Sequence, residues 1–115
     1  ITLHCPLTDD TKEIIRKENI DKMKDNVRIL NVSRGGLVNE TDLADALNCG
    51  RVLSAGVDVV LKEPMDKDNP LLNAKNITIT PHMAWASVDA RRRLVHEIAE
   101  NFNAYLNDEK RNVVN

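Results

Sequence analysis

Four short runs of β-branched and aliphatic residues, separated by polar stretches, constrain this chain more than any other feature. They are ITLHC (1–5), VRILNVS (27–33), VLSAGVDVV (52–60) and NITITP (76–81). None alternates cleanly between apolar and polar residues, which is how strands covered on both faces read. The stretches between them are long enough for crossovers, so neighbouring strands pair in parallel. TKEIIRKENIDKMK, running from Thr11 to Lys24, predicts two short helices with a break near Asn19. NETDLADALNCG predicts a helix that Asn39 caps and Gly50 closes. NPLLNA predicts a brief helical turn, for which Pro70 is preset. Ser87 caps a long last helix in which Val88, Val95, Ile98, Phe102 and Tyr105 recur with a helical period. Leu94, Ala99 and Leu106 widen that stripe. The expected architecture is α/β, half of a doubly wound parallel sheet ending in a long amphipathic helix.

Composition excludes several function classes. The 115 residues carry 16 Lys+Arg against 18 Asp+Glu, a formal net charge of −2. Neither nucleic acid nor an anionic membrane surface is an expected partner at that balance. Aromatic residues are only 3%, too few for a platform on which bases stack. No stretch approaches the roughly 20 apolar residues of a membrane span, and no basic segment leads into an apolar run at the start. A secretory signal is therefore not expected. Cys5 and Cys49 form no CxxC and no metal-like cluster, so reduced thiols in a cytoplasm are the simplest reading and no metal is expected. Arg91–Arg93 lies early in the last helix, where positive charge opposes the helix dipole. It reads either as a solvated face or as a run awaiting an anionic partner.

In open parallel sheets ligands bind beyond the carboxyl ends of the strands. After the first strand come Cys5 and Pro6. After the second come Ser33, Arg34, Gly35 and Gly36. After the third come Asp58 and then Glu63-Pro64. After the fourth come Pro81, His82, Met83, Ala84 and Trp85. One edge thus collects a cation, two carboxylates and an imidazole. A guanidinium can hold a carboxylate bidentately and orient a small anionic substrate. An imidazole titrates near neutrality and can give or take a proton, and a neighbouring carboxylate favours its protonated form. Such an acid can protonate a carbonyl oxygen as hydride reaches its carbon. Singly, each residue has a plainer reading. Arg34 and Glu63 read as loop charges, and His82 as a partly buried structural histidine. Asp58, inside an apolar strand, needs a partner on either reading. His4 and His96 read as structural or solvated, and Cys5 and Cys49 as small hydrophobes. Trp85 either packs against a neighbouring chain or lines a substrate pocket.

HCPLTDDT (4–11), ILNVSRGGLVNETDLADAL (29–47), AGVDVVLKEP (55–64) and ITPHMAWAS (79–87) together resemble the D-isomer-specific 2-hydroxyacid dehydrogenases. The motifs stand in that family's order and spacing over nearly the whole chain, and AWAS looks like its glycerate dehydrogenase or hydroxypyruvate reductase branch. The resemblance implies roles residue by residue. Arg34 matches the arginine that binds the substrate carboxylate and the reacting oxygen. His82 matches the general acid/base, and Glu63 the acid that pairs with it. Cys5, Pro6, Val32, Ser33 and Arg34 match cofactor-lining stretches, and so do His82, Met83, Ala84 and Trp85. Asp58 matches a contact to the nicotinamide carboxamide, and Thr11 a motif threonine without a separate role. Val60 replaces a frequent aromatic. Glu63 argues against formate oxidation, for which the superfamily uses glutamine as the partner of the histidine.

The resemblance also implies what the chain lacks. No GxGxxG occurs, although that motif's glycines let backbone approach a pyrophosphate. Residues 1–115 are expected to be the C-terminal part of an NAD(P)-binding domain, the C-terminal half of a Rossmann-type doubly wound sheet. The first mononucleotide half and the substrate domain would lie elsewhere, so an apolar edge at Ile1–Cys5 and the apolar surface made to face the missing half are expected to be exposed. The implied activity is NAD- or NADP-dependent hydride transfer on a small 2-oxo or 2-hydroxy acid such as hydroxypyruvate or glycerate. A homo-oligomer is expected, and the isolated chain should be inactive. The alternative from another class is a non-catalytic dinucleotide-sensing interaction protein, or an inert remnant of the same fold.

Overall fold

The four apolar runs form one parallel sheet in the computed structural model, which describes residues 1–114. The strands are β1 Thr2–Leu3, β2 Val27–Asn31, β3 Val52–Val57 and β4 Ile77–Ile79, in the order β1-β2-β3-β4. The register sets Leu3 opposite Asn31, Asn31 opposite Val57, and Val57 opposite Ile79. The carboxyl ends of all four strands are therefore level, and the segments that follow them leave the sheet along one edge. The α/β class and parallel pairing agree with expectation.

Helix α1 (Lys17–Ile20) lies between β1 and β2, and α2 (Glu40–Asn48) between β2 and β3. Asn39 Oδ1 accepts the Asp42 N–H at 3.1 Å, and Gly50 follows the helix with φ +82°, a conformation that costs glycine little. Leu43, Ala44, Ala46 and Leu47 face inward from α2 and pack with Leu3, Ile15, Ile20, Ile29, Leu37, Val52 and Leu71 in one core. Each fully buried Leu, Ile or Val side chain among these contributes about 1.5–3 kcal/mol. The Pro70–Asn73 turn is a short 3-10 helix capped by Asn69, whose Oδ1 accepts the Leu71 N–H at 2.9 Å.

Two expectations need correction. The segment from Thr11 to Lys24 is not two helices broken at Asn19. Its only α-helix is α1, which contains Asn19. Upstream, Glu13 N–H binds Gly36 O, Ile15 N–H binds Leu37 O, and Ile15 bridges in parallel to Val38. These long-range bonds compete with the first helical turn and win. The Asp42 carboxylate then accepts the Lys17 N–H at 2.8 Å, which caps α1 from α2. The second concerns cover, since the aliphatic runs read as strands covered on both faces, and only the expected loss of the first half leaves a face open. Ile29 and Asn31 are buried, whereas Leu30 and Val32 are 50% and 44% exposed, so β2 is covered on one face only among the described residues.

A second compact unit begins at Ala84. It holds α3 (Val88–Leu106), capped as expected by Ser87 Oγ accepting the Ala90 N–H at 3.2 Å. The chain after α3 turns back on it, and Arg111 and Asn112 both donate to Glu97 Oε2. Ala104 is buried, while Val95, Ile98, Phe102 and Tyr105 are exposed, so the amphipathic stripe is real and uncovered among the described residues.

Candidate active site

Asn31, the last residue of β2, is fully buried and bends the chain beyond it. Its Oδ1 accepts the Ser33 N–H at 3.1 Å and its Nδ2 donates to Arg34 O at 2.9 Å. Ser33 Oγ donates to Cys5 O at 2.6 Å and so joins the ends of β1 and β2. Thr11 Oγ1 donates to Pro6 O at 2.7 Å and accepts the Thr8 N–H at 2.8 Å, which closes the turn after Pro6. Arg34 is exposed at this edge, and its Nη1 donates to Ser33 O at 2.7 Å. Gly35 follows because nothing larger fits. A Cβ there would stand 2.0 Å from the carbonyl carbon of Val60.

Asp58 directly follows β3 and is 4% exposed. A buried carboxylate needs donors, and the segment that follows β4 supplies them. Thr80 Oγ1 donates to Asp58 Oδ1 and so does the Met83 N–H, at 2.9 Å. The Asp58 backbone carbonyl accepts the His82 N–H at 2.8 Å. One residue thus grips the chain on both sides of His82, whose φ of +52° lies in the left-handed region that a residue with a Cβ seldom adopts. The imidazole is thereby turned toward Glu63. The two meet at 2.7 Å between Nδ1 and Oε2. Glu63 Oε1 accepts the Val60 N–H at 3.2 Å. The bond from His82, then that from Val60, hold the Glu63 carboxyl below the ordinary glutamate range, against smaller upward pushes from desolvation and then from Asp58. Glu63 is therefore the ionised acceptor of an Nδ1–H.

A cavity of about 600 Å³ opens between these groups. Val60, Pro64, Met65, Ile79 and Pro81 form its apolar wall, and Asp58, Glu63, Thr80 and His82 its polar side. An apolar wall with a few converging polar groups suits a flat heteroaromatic ring bearing an amide, or a small polar acid. Arg34 is not among the lining residues. Among the predicted residues, Asp58, Glu63, His82 and Met83 are joined by direct bonds. Cys5, Pro6, Val32, Ser33 and Arg34 follow the neighbouring strands at the same edge. Ala84 and Trp85 open the second unit, and Trp85 is exposed. Sequence reasoning missed Asn31 and Thr80. The available signal for Asn31 was an amide inside an apolar strand, which must find partners when buried. Among the described residues no His, Cys, Asp and Glu group is placed to hold a metal ion, and no helix is long and apolar enough to cross a membrane.

Residues 1–84 match the family model described as D-isomer specific 2-hydroxyacid dehydrogenase, NAD binding domain. A hydroxypyruvate reductase of Blautia hydrogenotrophica is 55% identical over 115 residues, covering 100% of this chain and 36% of that protein. A glycerate dehydrogenase of Methylorubrum extorquens is 44% identical over 116 residues, covering 99% of this chain and 37% of that protein. The solved structure of an acyclic imino acid reductase in complex with NADPH and D-Arg superposes with a TM-score of 0.84 at 33% identity, covering 99% of this chain and 36% of the other. The chain thus spans little more than a third of the length of these relatives.

Proposed function

The chain belongs to the D-isomer specific 2-hydroxyacid dehydrogenases, and from that premise we propose that it is the C-terminal part of the NAD(P)-binding domain of an enzyme that interconverts a small 2-oxo acid and its 2-hydroxy acid. Hydroxypyruvate and glycerate are the favoured pair, because the relatives so named align over 99–100% of the chain. The observation that carries the reading is the His82–Glu63 pair beside the cavity.

The bound nicotinamide dinucleotide supplies or accepts the hydride. Cys5, Pro6, Val32, Ser33 and Arg34 on one side, and Asp58 with residues 82–85 on the other, are the groups proposed to line it. The Asp58 carboxylate can accept from a carboxamide, and the apolar wall excludes water from the ring. Arg34 holds the substrate carboxylate and polarises the oxygen at C2. In reduction His82 gives its proton to that oxygen as C2 receives hydride, so a C–H and an O–H bond form and the carbonyl π bond is lost. Glu63 keeps Nδ1 protonated, orients the ring and stabilises the imidazolium that precedes transfer. In oxidation His82 Nε2, not Nδ1, removes the hydroxyl proton.

The test is nicotinamide absorbance in the full-length protein with hydroxypyruvate, glyoxylate or D-glycerate. Turnover is expected, and His82→Ala should lower kcat by about 10²–10⁴-fold. Turnover independent of His82, or none with any small 2-oxo acid, would remove the reading.

A further inference from the structure

The bonds described above fix the tip of the segment that carries Glu63, but they do not explain what fixes its base. That segment leaves β3 at Asp58 and returns to the core at Leu71. Its anchor is on another element, at Glu40, the first residue of α2. Glu40 Oε1 accepts the Leu61 N–H at 2.7 Å, and Oε2 accepts the Asn69 side-chain amide at 2.8 Å. Asn69 is 7% exposed, and its Oδ1 is already committed to the Leu71 N–H. Both oxygens of one carboxylate therefore face the loop, near its beginning and near its end. An acidic residue in a first helical turn ordinarily complements the helix dipole. A dipole role requires no such pair of directed bonds. Leu61 is next to Val60, whose N–H is the second bond to Glu63, and Gly35 backs Val60 so closely that no side chain fits between. Glu40 thus sets Leu61, Leu61 sets Val60, and Val60 sets the carboxylate that meets His82.

We propose that Glu40 is a positioning residue for the reaction, clasping the 61–69 loop so that Glu63 is presented to His82. The proposal rests on the reading of His82 and Glu63 as the acid/base pair. Glu40→Gln is the informative variant. It keeps an acceptor for Leu61 but turns an amide N–H₂ toward the Asn69 amide, whose oxygen is already in use. It is isosteric and should fold, and Glu40→Ala removes both bonds.

The experiment measures kcat, KM and pH profiles of the full-length protein with NAD(P)H and hydroxypyruvate. It compares wild type, E40Q, E40A, E63Q and the E40Q/E63Q double variant. E40Q should lower kcat about 10-fold and E40A up to about 100-fold, the scale of a slightly misplaced catalytic group, with KM for NAD(P)H unchanged. The acid limb should move to higher pH, because a displaced Glu63 loses the His82 and Val60 bonds that hold its carboxyl low, while Asp58 still pushes it up. In the E63Q background E40Q should add nothing, since a residue acting through Glu63 has no effect once Glu63 is replaced. A carbon-13 titration of the Glu63 carboxyl reads the same displacement without turnover and should rise in E40Q. Wild-type kcat and titration in E40Q, or an undiminished loss in the E63Q background, would overturn the proposal. A wild-type protein without turnover would remove the dehydrogenase reading instead, while the titration would still decide whether Glu40 positions Glu63.

Discussion

Histidine 82 takes its place from backbone before side chain. Its N–H binds both Asp58 O and Thr80 O, and the left-handed turn this creates sends the ring toward Glu63. The His82–Glu63 pair has a definite pH window. Glu63 titrates below the ordinary glutamate value of 4.5, with the His82 bond as the main cause. A carboxylate held lower when folded than when unfolded stabilises the fold above the unfolded value. That stabilisation disappears as pH falls through the lowered value. A carbon-13 titration of the Glu63 carboxyl should therefore show an inflection below 4.5, moving up toward it in His82→Ala. An inflection unmoved by that substitution would mean that the imidazole is not what holds it. That Arg34, Asp58, Glu63 and His82 stand after strands at one edge was legible because charge is conspicuous there, but the cavity that Asp58, Glu63 and His82 line, without Arg34, was not. Thr80 and Glu40 were not, because their partners lie 22 and 21 residues away and only strand register and helix placement bring them together.

At the scale of elements, local chemistry was legible where it is self-contained. Asn39, Ser87 and Pro70 hold the places their side chains favour. The segment from Thr11 to Lys24 was misread because its backbone bonds go to Gly36 and Leu37, which no local pattern reveals. Gly35 and the α2 cap Asn39 supply two contrasting predictions, both read as unfolding midpoints. Asn39→Ala removes a cap and should cost about 1 kcal/mol without changing turnover of the full-length enzyme. Gly35→Ala places a methyl group against the Val60 carbonyl, where backbone must give way. It should cost about 1–3 kcal/mol and also lower kcat, because Val60 carries the N–H that Glu63 accepts. Equal losses of activity in both variants would show that turnover follows stability alone and that the Val60 contact has no separate role.

Across the whole chain, one register line from Leu3 through Asn31 and Val57 to Ile79 does the organising, since it levels four strand ends and so brings the segments after them to one edge. The parallel sheet behind that line was legible from composition and crossover length, whereas its open face was legible only through the resemblance, which implied a missing half. Runs of aliphatic residues imply that something covers both faces, but they do not say that the same stretch of chain supplies it. Here Leu30 on one face of β2 and Val32 just beyond the strand are half exposed, the outer edge of β1 has no partner strand among the described residues, and the stripe on α3 is exposed. An apolar edge and an apolar face exposed together form a template for further pairing. The excised 115-residue chain should therefore sediment as dimers or larger species at micromolar concentration. Leu30→Lys puts a charge on the open face at a position whose side chain contributes little to the core, so it should shift the population toward monomer without lowering the unfolding midpoint. In the full-length protein Leu30 should instead resist solvent labelling, and Leu30→Lys should be destabilising. If the excised chain is a clean monomer and the substitution is neutral in both settings, the open face is an ordinary surface and requires no cover.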